Sequence, residues 1–317
     1  MRAAGGVAAL ALVVAAATAG GLALGAGDEP ATGGAVDEHT LHVHEPADVI
    51  GSPTRHTGPQ GRVGQFVAKC EYSHSAPDDP IVHQGHPGRS HLHDFYGAET
   101  TDAFSSAEEL VEDATTCDKP ADKAAYWQPA LYMDGEVVVP TEIRAYYRAA
   151  PGVDHTEVVP YPFGLELIAG DPTFTEASQM DEAAGWVCGS SSRMHTEPPN
   201  CPVTAPLHML LTFPDCWDGE HLRSDDFRSH AAYSTDGECP ESHPVNVPQL
   251  MMSVKYPVSG IGHEFSLASG NVHSAHGDFL NSWDPEGLER EVTQCINRDV
   301  LCDLVSNRQE DGPFFAS

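Results

Sequence analysis

Two compact groups of imidazoles hold most of the chemistry this sequence offers. Of its 18 histidines, His83, His86, His91 and His93 form one group and His230, His243, His273 and His276 the other. In the first, Ser90-His91-Leu92-His93-Asp94-Phe95 sets two imidazoles two residues apart. Side chains on an extended strand alternate with a period of two, so both rings would share a face beside a carboxylate. The second group holds His273-Ser274-Ala275-His276-Gly277-Asp278-Phe279, again joining imidazole to an Asp-Phe step. Neutral imidazoles bind zinc or copper at about 2.0–2.1 Å, and a carboxylate that accepts the other ring N–H fixes the tautomer. The expected metal ligands are therefore His91, His93, His276 and His243, with zinc or copper as the ion. The geometric expectation is that His91 and His93 face His276 across one pocket with Asp94 and Asp278 close by. Asp94, Asp278 and His230 are the candidate catalytic groups.

Other readings of the same residues stay open. A histidine next to an aspartate is also a common buried hydrogen-bonded pair. A metal-free hydrolase of cell-wall polysaccharide would use carboxyls from Asp94, Asp218 and Asp278, although Asp218-Gly219 reads more simply as a turn. A carbohydrate-binding or structural cell-surface module would use Tyr126, Trp127, Trp217 and Trp283 as sugar-stacking faces, although aromatics beside cysteines more often belong to a core. Enzyme status is thus undecided between a polysaccharide hydrolase or metal-dependent enzyme and a binding module. Gly-x-Ser-x-Gly, a P-loop, a dinucleotide fingerprint and His-Glu-x-x-His are all missing from the sequence, which excludes those cofactor and nucleophile classes.

The elements that must position these residues read as a sheet-rich fold. Short apolar runs at 130–133, 136–139, 165–168, 207–213 and 250–254 are separated by Pro, Gly, Asn and Asp, which suits strands. Met133-Asp134-Gly135-Glu136 supplies a hairpin turn. Two helices are expected, one from a capping box of Ser106 and Glu109, the other from Asp284-Pro285 through Leu288, Val292, Cys295 and Ile296. The expected class is mainly β with a few helices, an α+β or β-sandwich arrangement stabilised by disulfides.

Composition bounds the partners. The 317 residues carry 47 Asp and Glu against 16 Lys and Arg, a formal charge of -31, which repels phosphate backbones and argues against nucleic acid. Met1-Arg2 followed by an uncharged, Ala-rich run to Gly27 reads as a signal peptide over 1–26, with an N-terminal anchor as the alternative and no other membrane contact. A Gly-, Pro-, His- and acid-rich stretch over 27–65, including His39, His42 and His44, reads as a tether. One globular domain is expected over 66–303 and a tail over 304–317. The eight cysteines all follow the leader, and in a secreted or cell-surface protein an even set reads as up to four disulfides. Connectivity does not follow from sequence; neighbours taken in order, Cys70–Cys117, Cys188–Cys201, Cys216–Cys239 and Cys295–Cys302, are the working guess. Oligomeric state does not follow from the sequence either.

Six ordered motifs carry a family resemblance: Ser90-His91-Leu92-His93-Asp94-Phe95-Tyr96-Gly97, Asp122 to Tyr132, Phe213-Pro214-Asp215-Cys216-Trp217-Asp218-Gly219, Ser229-His230-Ala231-Ala232-Tyr233, Cys239-Pro240-Glu241-Ser242-His243-Pro244, and His276 to Asp284. The chain resembles the domain of unknown function found in secreted fungal and actinobacterial proteins, in fungi sometimes beside a carbohydrate-binding cell-wall module. The resemblance spans roughly Phe66 to Cys302 and implies export, disulfides and a single domain, with no activity attached. Where that family usually has Asn-Gly-Trp, this chain has Asn281-Ser282-Trp283. What the whole reading implies is an exported protein with a His/Asp pocket for a divalent transition metal that acts on extracellular glycan.

Overall fold

The computed structural model describes residues 64–302 apart from Glu182 and Ser192. The expected leader over 1–26, the expected tether over 27–65 as far as residue 63, with His39, His42 and His44, and the expected tail over 304–317 lie outside the described residues. The strands are β1 (Gln65–Ala76), β2 (His93–Gly97), β3 (Ala125–Pro129), β4 (Leu131–Met133), β5 (Glu136–Val138), β6 (Glu142–Arg148), β7 (Glu166–Gly170) and β8 (Ala184–Cys188). They continue with β9 (Leu207–Thr212), β10 (Cys216–Trp217), β11 (Ala231–Ala232), β12 (Val245–Asn246), β13 (Gln249–Lys255), β14 (Phe265–Leu267) and β15 (His276–Leu280). Nine of them make one antiparallel sheet in the order β7-β15-β3-β2-β1-β6-β13-β9-β8. Because β7 comes back against β9, the sheet nearly closes on itself. The mainly β, disulfide-stabilised class expected from the sequence is the class observed.

Alternation along these strands creates two apolar layers. Phe66, Ala68 and Cys70 of β1, Ile143, Ala145 and Tyr147 of β6 and Leu250, Met252 and Val254 of β13 all point to the inside of the curled sheet and are buried. Phe66 stacks on Tyr147 at 4.6 Å between ring centroids, and Trp283 meets Phe66 edge-on at 5.8 Å. A second, separate layer lies on the outer face of β2, β3, β15 and β7, where Phe95, Trp127, Leu280 and Ile168 pack under Ile81, Ala107 and Leu110. That outer layer, covered by the chain between β1 and β3, is where the histidines are found.

Local chemistry explains most boundaries. Asp134 and Gly135 take φ of 54° and 84°, the left-handed pair that a two-residue hairpin between β4 and β5 requires. The helix α1 (Ala107–Leu110) is only one turn: the hydroxyl of Ser106 donates to Glu109 Oε2 at 3.2 Å and caps no backbone N–H, so the expected capping box does not form. The helix α2 (Pro285–Glu291) starts as expected, with the Asp284 carboxylate accepting from Gly287 N–H at 2.7 Å. It then widens into a π turn over Val292–Ile296 that carries Cys295 into the core. A buried ion pair, Lys119 Nζ to Glu291 Oε1 at 2.8 Å, ties α2 to the segment before β3. The four disulfides are Cys70–Cys117, Cys188–Cys201, Cys216–Cys239 and Cys295–Cys302, the neighbour pairing the sequence suggested. Among the described residues, no helix is long and apolar enough to cross a membrane.

Candidate metal centre

Sheet register brings the two histidine groups together. His93 opens β2 opposite Pro129 of β3, and His276 opens β15, which runs along the other side of β3 with Asp278 opposite Trp127. Strands once removed in a sheet lie roughly 9.5 Å apart, so two imidazoles leaning over the central strand span that gap. His91, just before β2, adds a third ring from the covering layer. Ring centroids are 4.2 Å apart for His91 and His93, 5.1 Å for His91 and His276, and 5.9 Å for His93 and His276. One nitrogen from each ring lies within 4.8 Å of the others. Donors on a tetrahedral ion bound at about 2.0–2.1 Å sit roughly 3.3 Å apart, so the donor atoms need to close by at most about 1.5 Å to share an ion.

Backbone carbonyls fix which nitrogen is offered. His93 Nδ1 lies 2.8 Å from the carbonyl of Asp78, and His276 Nδ1 lies 2.8 Å from that of Ser274. A carbonyl can only accept, so each Nδ1 carries the proton and each Nε2 is left with its lone pair. The Nε2 atoms of His91 and His93 are buried and find no hydrogen-bond partner. Burial holds His91 down to about 4, with help from nearby His83. It holds His276 down to about 3 against the Ser274 hydrogen bond, and puts His93 well below the usual imidazole value. All three are therefore neutral at pH 7. Neutral imidazoles with unsatisfied, converging lone pairs are an unfavourable arrangement that an electrophile relieves. Nitrogen donors of this kind suit zinc or copper.

The cluster opens into a cavity of about 450 Å³ whose wall includes His91, His276, Asp278, Asp79, Arg89 and Arg228. Asp278 follows His276 by two residues, hence on the same face of β15. Its Oδ2 is buried without a partner, and burial first, then the Asp79 charge, pushes its carboxyl well above the usual range. Asp79 is also raised by burial, although it accepts hydrogen bonds from Ile81 and Val82 N–H at 3.0 and 2.9 Å. Arg228 reaches the cavity from a tightly pinned loop. The Asp226 carboxylate accepts from Ser224 Oγ at 2.7 Å and from Ser229 and Arg228 N–H at 2.8 and 3.1 Å. Phe227 is held at φ 63°, a strained conformation for a bulky residue, under the guanidinium of Arg223 at 4.9 Å.

Not every expected residue joins this pocket. Asp94 points to the opposite side of β2 from His93, as adjacent strand residues must. There it accepts from Ser75 Oγ at 2.6 Å and lies 3.5 Å from Gln128 Nε2, so the expectation that it sits beside the imidazoles is corrected. His230 is committed at both nitrogens, Nδ1 to Ser224 Oγ at 2.9 Å and Nε2 to the Glu166 carbonyl at 2.6 Å. His243 is likewise held by Ser242 Oγ and the Ser229 carbonyl, both at 2.9 Å. Neither reaches the three-histidine group. Asp218 receives N–H bonds from Glu220 and His221 at 2.8 and 2.9 Å, a turn-capping arrangement. Tyr126, Trp127 and Trp283 are buried and present no face to a sugar. Two further clusters, Cys70 and Cys117 with Asp122 and Cys216 and Cys239 with Asp215, contain disulfide sulfurs, which offer no thiolate to an ion.

Sequence reading missed Asp79, Arg89 and Arg228 on the cavity wall, and the carbonyls of Asp78 and Ser274 that set the tautomers. The carbonyls carry no side-chain signature at all. Gly170 was missed too. It pairs with His276 across β7 and β15, has φ +70°, and a Cβ there would lie 2.2 Å from the Ala275 carbonyl oxygen.

A family model described as "Domain of unknown function (DUF1996)" matches residues 79–283, a span that starts at Asp79 and contains all three imidazoles and Asp278. No curated protein and no solved structure is matched.

Proposed function

For this chain, which belongs to the DUF1996 family of uncharacterised domains, we propose a divalent transition-metal centre held by Nε2 of His93 and His276 together with His91. The ion is zinc or copper, and the cavity beside it acts on extracellular or cell-wall glycan. The observation that carries the metal reading is the pair of carbonyl-locked imidazoles whose free nitrogens converge with a third, two of the three rings having a buried Nε2 with no partner. A bound ion would supply a Lewis acid or an acidified water. The chain itself contributes a cavity with room for a small substrate, the Asp278 carboxyl on the same strand face as His276, and the guanidinium groups of Arg89 and Arg228. Export is supported by the leader-like N-terminal sequence and by four disulfides, a crosslink of oxidising compartments.

Elemental analysis after loading with zinc or copper tests the metal. About one equivalent is expected on the wild type and none on a His91→Ala, His93→Ala double variant that keeps a folded far-ultraviolet spectrum. Equal, negligible metal on both proteins removes the centre. Glycan action is tested separately by product release from wall polysaccharide with loaded and chelator-stripped protein. Loaded protein that releases nothing leaves the ion in place and removes the glycan activity.

A further inference from the structure

The outer face of the other half of the sheet carries a second, chemically different groove. Along β6, Ile143, Ala145 and Tyr147 turn to the core, so Glu142, Arg144, Tyr146 and Arg148 turn outward. On the neighbouring β13 the outward residues include Gln249, opposite Arg148, and Lys255, opposite Glu142. Glu142, Arg144, Tyr146, Arg148 and Lys255, with His208 of β9 and the Ser190-Ser191 turn, line a cavity of about 410 Å³. Among the described residues lining it, Glu142 is the single carboxylate and Arg144, Arg148 and Lys255 are the cations.

Charge in this groove runs against the rest of the molecule. A chain of net charge -31 with 16 basic residues in all puts three of them here, and Lys69 joins them from β1. Glu142 already serves three of these four groups, at 3.2 Å from Lys69 Nζ, 3.5 Å from Arg144 Nε and 3.8 Å from Lys255 Nζ. One carboxylate cannot neutralise three cations, and it leaves the fourth unserved. Arg148 is the more telling group. It is 6% exposed, its Nη2 donates to the neutral Gln249 Oε1 at 3.1 Å, and its Nε is buried with no acceptor. The buried Asp215 charge also acts on Arg148, but among the described residues it makes no ion-pair contact with the guanidinium, and a buried Nε–H with no acceptor is costly unless an anion completes it. A planar fork of N–H donors is the group best matched to a carboxylate or phosphate.

We infer that this groove is a binding site for an oxyanion, a carboxylate or phosphate group, seated between Arg148 and the Arg144–Lys255 pair. It lies on a different part of the sheet from the imidazole cluster and does not depend on a metal being bound there. The two sources of such a group are an acidic glycan, through its uronate carboxylates, and a phosphate or phosphate ester.

Calorimetric titration of the full chain at low salt with oligogalacturonate and, separately, with inorganic phosphate tests the site. Saturable binding of at least one probe is expected, weakening as salt is raised. Affinity should fall about tenfold or more in Arg148→Met, the loss of one charge-assisted hydrogen bond. It should fall similarly in the Arg144→Gln, Lys255→Gln double variant, whose side chains are half exposed and whose loss leaves the core untouched. Binding should be unchanged in the His91→Ala, His93→Ala variant, which separates this site from the proposed metal centre. Galacturonate alone identifies a glycan carboxylate, phosphate alone a phosphate group. No saturable binding of either probe, or binding indifferent to both sets of groove variants, overturns the inference.

Discussion

Replacing Asp122 by Asn should change how the stability of this protein depends on pH, and the size of the change follows from its surroundings. Asp122 is fully buried. Its Oδ1 accepts from Ala124 N–H at 3.1 Å and its Oδ2 from the Tyr126 hydroxyl at 2.8 Å. The chain of contacts continues from the Tyr126 hydroxyl to that of Tyr147 and on to Trp283 Nε1 at 3.1 Å. Burial raises the carboxyl to about 8, with Asp118 adding to the rise and the Tyr126 and Ala124 hydrogen bonds and Lys119 opposing it. The folded value therefore lies above the unfolded one, near 3.8. The folded chain holds a proton the unfolded chain has released between those limits. Stability is complete below the lower limit and declines as pH rises toward the upper one, by about 1.4 kcal/mol per pH unit inside the window. From pH 5 to pH 7 the loss due to Asp122 is roughly 2–3 kcal/mol. An amide mimics the protonated acid, since its N–H can donate to the Tyr126 oxygen while its carbonyl accepts from Ala124. Urea unfolding of chelator-stripped wild type and Asp122→Asn at pH 5 and pH 7 measures the effect. Glu166, raised by burial to about 7, acts in both proteins and cancels in the difference. Wild type should lose roughly 2–3 kcal/mol more than the variant over this interval. Equal losses in the two proteins would refute the reasoning, because they would mean that Asp122 is already ionised in the folded core at pH 5.

Metal loading should stabilise the fold. At free zinc a hundredfold above its dissociation constant the gain is about 2.7 kcal/mol, or roughly 5–11 °C in melting temperature for a domain of this size, visible by calorimetry and absent in His91→Ala, His93→Ala. Gly170→Ala should destabilise by about 2–4 kcal/mol, since it combines a positive φ with a contact against backbone. Its Cβ would meet His276 Cα at 2.9 Å, so zinc affinity should fall on the order of tenfold or more; a metal titration with unchanged affinity would show that Gly170 does not position His276. Lys119→Met should cost about 3–5 kcal/mol in urea unfolding because it strands Glu291 in the interior, and adding Glu291→Leu should restore most of that loss, whereas no recovery would discount the pair.

Legibility in the sequence tracked how local each determinant is. The β4–β5 hairpin was readable because Asp134-Gly135 states its own turn, and α2 because Asp284-Pro285 states its own start. The Ser106 box misled because a cap motif promises a helix only if the chain beyond it can continue one, and here the segment folds down over Trp127 and Phe95 after one turn. His91, His93 and His276 could be nominated from residue type, but their meeting depends on β3 lying between β2 and β15, a pairing of segments about 180 residues apart in the chain. Asp94 failed for a reason the sequence did contain: on a strand, the neighbour of an inward residue faces outward. The groove between β6, β13 and β9 was invisible because Arg144 and Arg148 stand four residues apart on β6, Lys255 and Lys69 come from β13 and β1, and none stands in a basic run.

The same alternation explains why this sheet can carry two unlike sites without either disturbing the core. Inside the curl, the acids Asp94 and Asp122 are tied to neighbours that satisfy them, and burial drives both toward the neutral acid, Asp94 to about 7 and Asp122 to about 8. Outside it, the groups left unsatisfied include Nε2 of His91 and of His93, the Asp278 carboxyl oxygen and the Arg148 Nε. A fold that pairs these interior acids yet leaves a nitrogen cluster on one outer face and a guanidinium Nε–H without an acceptor on another has placed two electrostatic deficits beside cavities that ligands can enter. The deficits are of opposite kind, electron-rich nitrogens at one face and a cationic N–H donor without an acceptor at the other. A metal cation and an oxyanion are accordingly the ligands each can accept, and neither can substitute for the other.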